Sequence, residues 1–134
     1  MAEKLRVVPL GGLGEIGKNM MAFELADDLI VVDAGLMFPE EEMLGVDLVI
    51  PDVSYVEERI HKLRGILITH GHEDHTGALP YVLPRLRLPS GRLPPIYCTR
   101  LTRGLIAVKL DELRLLSDAD LRVVQPGERV RLGR

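Results

Sequence analysis

The run His70-Gly71-His72-Glu73-Asp74-His75 follows directly on the apolar stretch Gly65-Ile66-Leu67-Ile68-Thr69. No other part of the chain constrains the fold so far. A short apolar run of this kind reads as a buried strand, so four potential metal ligands are delivered together at a strand's end. Imidazole nitrogen and carboxylate oxygen are the donors that suit zinc or manganese. Three of the chain's four histidines lie in this run. Composition alone would not gather them there, which weighs against a merely solvated polar loop.

His70 and His72, two apart on extended backbone, can face one cation, while Asp74 and His75 turn toward a second. Two cations about 3.5–4 Å apart lower the pKa of a shared water and clamp the attacking and leaving oxygens of a phosphodiester. Asp74 is placed to orient that water or take its proton. Thr76-Gly77-Ala78-Leu79 then reads as a helix start, whose N-terminus would add positive potential beside an anionic substrate. The expected chemistry is metal-assisted hydrolysis.

Elsewhere, strands alternate with helices after an opening hairpin, which indicates a sheet with helices on its faces. Leu5 to Leu10 reads as a strand, and Gly11 to Lys18 as a glycine-rich loop. That loop contains a decoy. Gly12 to Gly17 spells G-x-G-x-x-G, with Asp33 near the spacing of a ribose-binding acid, yet the dinucleotide fingerprint requires a helix next. Here Asn19 to Leu25 and Leu29 to Val32 read instead as a hairpin around Ala26-Asp27-Asp28. Asp33 closes a buried strand, where a carboxylate needs partners or a function. The long irregular acidic stretch from Leu36 to Pro51 is of a length that usually covers a site.

Ser54 to Glu57 has the pattern of a capping box, opening a short helix that closes at Gly65 and carries His61 on an exposed face. Helix is expected again from Thr76 to Leu83, followed by a proline-rich basic connection from Arg85 to Pro95. Ile96-Tyr97-Cys98 reads as a strand. Thr99 or Thr102 then caps an amphipathic helix to about Leu116, with Leu101, Leu105, Ile106, Leu110, Leu113 and Leu116 on its inner side. Leu121 to Val124 and Val130 to Leu132 read as two further strands.

With 134 residues, 46% of them hydrophobic, the chain can build one domain around one core. Its apolar runs fall far short of the roughly 20 residues of a membrane span. Met1-Ala2-Glu3-Lys4 leads into a strand pattern without the features of a signal peptide. A cytoplasmic protein is expected. Cys98 is the only cysteine, so no internal disulfide forms, and a small buried hydrophobe is its expected role. Charge is unevenly distributed: residues 1–58 hold 13 acids and 3 bases, residues 59–134 hold 7 acids and 14 bases. Arg85, Arg87, Arg92, Arg100 and Arg103 follow closely on the histidine run, either as a phosphate-binding face or as a solvated basic one.

The loop Gly11 to Asn19, the strand end at Asp33, Phe38-Pro39-Glu40, Gly45-Val46-Asp47, Ile50-Pro51-Asp52 and Thr69 to His75 together resemble the ribonuclease J family. H-x-H-x-D-H alone marks the wider metallo-β-lactamase superfamily; its combination with Gly-Gly-Leu-Gly-Glu-Ile-Gly-Lys-Asn narrows the likeness. The resemblance implies an α/β fold: the N-terminal half of a metallo-β-lactamase αββα sandwich, a mixed sheet with flanking helices over residues 1–134. It implies two zinc ions, with manganese as the alternative, the first held by His70 and His72 and the second by Asp74 and His75. Asp33 would brace the motif loop, with Asp74 and His72 as the catalytic pair. A separate calcium contact through Gly45 and Asp47 is also implied.

Relatives of this kind cleave RNA endonucleolytically and as 5′-to-3′ exonucleases, in messenger decay and ribosomal RNA maturation. RNA is therefore the expected partner, with no membrane, and the intact protein is expected to be a homo-oligomer, dimer or tetramer. The chain departs from the family after His75, where no further histidine follows. It reads as an N-terminal fragment lacking the β-CASP domain, with weak metal affinity and negligible hydrolysis by itself. Two other functions compete: a thioester or lactone hydrolase of the same superfamily, and a non-catalytic RNA-binding module.

Overall fold

The computed structural model describes residues 2–39, 41 and 43–134; Glu40 of the Phe38-Pro39-Glu40 motif lies outside them. The chain runs β1 (Leu5–Gly11), β2 (Met20–Leu25), β3 (Asp28–Val32), α1 (Ser54–Glu57), β4 (Leu63–Leu67), α2 (Glu73–Thr76), α3 (Leu79–Val82), β5 (Ile96–Cys98), α4 (Arg100–Glu112) and β6 (Leu121–Val123). The strands form one sheet in the order β1-β2-β3-β4-β5-β6. The two β1–β3 pairings are antiparallel, as an opening hairpin requires, and β3 through β6 pair in parallel. It is the expected mixed sheet, with helices supplying the crossovers between parallel neighbours.

Register explains the core. Val8, Ala22, Val31, Ile66, Ile96 and Leu121 pair in succession across all six strands. From Ala22 to Ile96 this row is fully buried, beneath Val56, Leu79, Val82, Leu83, Ile106 and Leu110. Burying each large side chain of this set contributes about 1.5–3 kcal/mol. The neighbouring row, Met21, Val32, Leu67 and Tyr97, belongs to the opposite face. That face is apolar as well and only partly covered, by the segment 124–134, which leaves a cavity of about 750 Å³ against it.

Several elements differ from the sequence reading. α1 ends at Glu57, and Gly65 is an internal residue of β4. There a Cβ would stand 3.1 Å from the Tyr97 ring, so the glycine serves sheet packing and does not stop a helix. Ser54 is no capping box: its N–H and hydroxyl both donate to Asp52, and the cap residue is Val53. Helix begins at Glu73, three residues before the expected start, so the ligand run itself forms the first turn, with His72 as its cap. Val130 to Leu132 forms no strand; Leu132 reaches toward Gly65, and the Arg134 N–H donates to Asp28.

α4 ends at Glu112, short of Leu116, and its buried stripe is Thr102, Ile106 and Leu110. Leu101, Leu105 and Leu113 are 77%, 45% and 48% exposed. A single sheet face covers only one narrow stripe of a helix, and the spacing of four selects Thr102 in place of its leucine neighbour. No helix among the described residues is long and apolar enough to cross a membrane.

Candidate metal centre

The centre is assembled where β3 and β4 end side by side. After β3 the chain turns at Asp33, whose φ of +65° is a left-handed conformation that aspartate tolerates better than most residues. The Asp33 N–H donates to the Leu67 carbonyl at 2.8 Å, continuing the parallel ladder by one step. The segment Ala34-Gly35-Leu36 then runs against α2. Three successive carbonyls of that helix, those of Glu73, Asp74 and His75, accept N–H bonds from Leu36, Asn19 and Ala34 at 3.0, 3.1 and 2.8 Å. Gly35 is obligatory there, because a Cβ would fall 1.7 Å from the Asp74 carbonyl oxygen. A further tie is an ion pair between Glu73 and Lys109 of α4.

Asp33 is 6% exposed and fully engaged. One carboxylate oxygen accepts the Thr69 N–H at 2.8 Å, the other accepts from His75 Nδ1 at 2.7 Å, and both lie within 3.0 Å of the Thr69 hydroxyl. A carboxylate can only accept, so the hydroxyl proton of Thr69 points to Asp33 and its oxygen accepts from His70 Nδ1 at 2.9 Å. One buried acid thereby sets both rings: His75 directly and His70 through Thr69. With Nδ1 of each imidazole engaged in this way, Nε2 is the ring atom left to face a cation, the arrangement of a metal ligand held by an outer carboxylate.

Ligand atoms of His70, Asp74 and His75 lie within 4.8 Å of one another, and the Asp74 carboxylate is 3.6 Å from His75 Nε2. This donor set, two imidazoles and a carboxylate with oriented tautomers, fits a divalent cation of the zinc or manganese type. His72 stands outside the triad, exposed at the start of α2, its ring edge-on to His70 with centroids 4.6 Å apart. Gly45 and Asp47 are exposed on the loop before Val49, and among the described residues no other side chain gathers with Asp47 into a ligand group. His61 is exposed in a short 3-10 turn at Ile60–Lys62.

Two clefts flank the triad. One of about 370 Å³ lies between His70, His72 and the first turns of α4, with Thr99, Thr102, Leu101 and Leu105 as its wall. The other, about 270 Å³, opens between the glycine-rich loop, Asn19, Asp33 and His75. Of the five expected basic residues, Arg85 is paired with Glu57 at 2.7 Å and Arg87 with Asp118 at 3.6 Å. Arg92, Arg100 and Arg103 have no ion-pair partner among the described residues and remain available to an anion. Cys98 is buried, and burial pushes its thiol pKa up, which keeps it protonated and inert.

Residue-by-residue reading of the sequence passed over Asn19, Thr69 and Lys109 as parts of this site. All three are common polar types whose role depends on contacts made across 36 or more positions or, for Thr69, on a neighbour's tautomer. Only Thr69 carried a local signal, as the hinge between strand and ligand run.

Comparison with known proteins places these observations. The family model described as the metallo-beta-lactamase superfamily matches residues 13–129. The chain is 47% identical over 133 residues to a protein named Ribonuclease J from Thermus thermophilus, covering 98% of this chain and 23% of that one. It is 44% identical over 132 residues to a Ribonuclease J from Synechocystis, covering 98% and 20%. The chain thus spans about a fifth of the length of these curated relatives. Among solved structures, a diphosphatase of the PhnP family superposes with a TM-score of 0.56 at 21% identity, over 87% of this chain and 40% of that one.

Proposed function

We propose, from the premise that this chain belongs to the metallo-beta-lactamase superfamily, that it is the ligand-bearing part of a metal-dependent ribonuclease of the ribonuclease J type. The intact protein would hydrolyse RNA phosphodiester bonds, as an endonuclease and as a 5′-to-3′ exonuclease, in messenger decay and ribosomal RNA maturation. The observation that carries this reading is the convergence of His70, Asp74 and His75 at the end of β4. The identity to proteins named Ribonuclease J across 98% of the chain supports the choice of substrate.

In this reading the cations are zinc, with manganese as the alternative, and they are held by His70, His72, Asp74 and His75. A divalent cation supplies Lewis acidity and an activated water near neutral pH. The protein's own groups do the positioning. Asp33 and Thr69 hold the His75 and His70 rings through Nδ1 and leave Nε2 of each to face a cation, while Asp74 orients the water and takes its proton, paired with His72 at the mouth of the cleft. Arg100 and Arg103, on the first turn of α4 beside that cleft, are suited to the RNA backbone. Calcium at Gly45 and Asp47, a homo-oligomeric assembly of two or four subunits and a cytoplasmic location complete the proposal.

The test is an assay of the intact protein on 5′-monophosphorylated RNA, with the H72A and D74A variants alongside and a thioester as competing substrate. RNA cleavage that either substitution reduces by about a thousandfold or more supports the reading. Thioester turnover without RNA cleavage, or RNA cleavage indifferent to both substitutions, overturns it.

A further inference from the structure

We propose that Asn19 is a positioning residue of the metal centre, setting the direction of Asp74 and His75, and that the glycine-rich loop 11–18 is built to seat it. The inference rests on the metal-binding reading of His70, Asp74 and His75. Asn19 stands immediately before β2, and both its backbone and its side chain face α2. Its N–H donates to the Asp74 carbonyl at 3.1 Å and its Nδ2 donates to the same oxygen at 2.9 Å. That amide nitrogen also lies 3.5 Å from Asp74 Oδ2 and 3.5 Å from His75 Nε2. One carboxamide therefore anchors the main chain of the ligand turn and stands beside the donor atoms of two ligands. Outer groups that orient ligands in this way are a general requirement of metal sites.

The loop's composition follows from this placement. Gly12 has a φ of +91°, and a Cβ there would come 2.7 Å from Asn19 Oδ1. Any side chain at position 12 would push the carboxamide off its seat. Loop geometry is fixed further by the Gly12 N–H donating to Glu15 at 3.2 Å and by the Glu15–Lys18 ion pair at 3.3 Å. On the far side, a Cβ at Gly35 would meet the Asn19 nitrogen at 2.6 Å. The glycine-rich motif, which leads into β2 and not into a helix, has its physical reason in admitting Asn19 to the site.

The test uses the intact protein, with Zn2+ and Co2+ as probes. Zinc affinity is measured by competition with a chromophoric chelator, coordination by the visible spectrum of the Co2+-loaded chain, and folding by circular dichroism. N19A and G12A are each expected to bind zinc about 10–100-fold more weakly than the wild type, with altered Co2+ bands. A purely structural role for Asn19 would change the folding midpoint and leave the bands of the loaded site unmoved, which overturns the proposal. Wild-type binding with unchanged affinity and spectrum in N19A overturns Asn19's role alone, and a G12A chain identical to wild type overturns the seat. A wild-type chain that binds neither ion overturns the metal-binding reading and this inference together. A second measurement needs no variant: Mn2+ added to the wild type should broaden the Asn19 side-chain amide NMR signals selectively, and signals left sharp at saturation overturn the assignment.

Discussion

Replacing Asp33 by Ala should be strongly damaging although it leaves every proposed metal ligand in place. The substitution leaves the Thr69 N–H without its acceptor and removes the partners of the Thr69 hydroxyl and His75 Nδ1. Hydrogen bonds to a charged group contribute about 1.5–3 kcal/mol each. These contributions overlap, and part of each is recovered by solvent at the half-buried His75. Alanine adds roughly 1 kcal/mol for the left-handed backbone at φ +65°. The expected total is about 3–5 kcal/mol, a large share of the 5–15 kcal/mol that typically holds a domain together.

D33N keeps the shape and tolerates the backbone, but its NH2 group must face either the Thr69 N–H or His75 Nδ1. It should therefore cost less, about 1.5–3 kcal/mol. Urea titrations followed by circular dichroism give both values from the midpoints, provided the slopes agree. A D33A midpoint within about 0.5 kcal/mol of wild type, or D33N more damaging than D33A, would refute the view that one buried acid organises both histidines.

Gly35→Ala should abolish or severely weaken folding, by more than about 3 kcal/mol, because three backbone atoms already crowd the place of its Cβ; near-native urea stability would sink that claim. Gly104→Ala should do the opposite, raising stability by about 0.5–1 kcal/mol, since the residue is interior to α4 and a Cβ there meets nothing within 4 Å; a lower melting midpoint would contradict it. Glu24 is buried, and the Tyr55 hydroxyl and Lys62 ammonium hold its carboxyl below the ordinary 4.5. A depressed folded-state pKa contributes stability that is present above about 4.5 and is lost as pH falls through the lower folded value. Wild type should accordingly lose stability more steeply than E24Q below that point, as urea midpoints across the acid range would show, and parallel profiles would remove Glu24 from the account.

Much of this architecture was legible in the residues because strand signals are local. The hairpin, the strand before the ligand run and Ile96–Cys98 all follow from apolar runs bounded by turns, and all appear in the sheet. Asp33 was legible too, since a carboxylate at a buried strand end must find partners. The sequence pattern was less informative where the outcome depends on what packs opposite. Leu101 and Leu105 look like core residues on a helical wheel, yet the sheet meets α4 through Thr102 and Ile106. Gly65 looks like a helix stop but is a strand residue shaped by Tyr97. Asn19 offered nothing local: its meaning lies 55 residues away at Asp74.

The ligand turn is gripped mostly through main-chain atoms, the carbonyls of Glu73, Asp74 and His75 bonding to amides of Leu36, Asn19 and Ala34. Every residue type other than proline carries such an amide. The chain around the turn can therefore drift widely over evolutionary time, changing its side chains at positions such as 34 and 36 within the limits of size, while the imidazoles stay aimed as before. Inherited variation at the centre should concentrate in the walls of the two clefts, so that what the protein accepts can diverge while the reactive heart stays put.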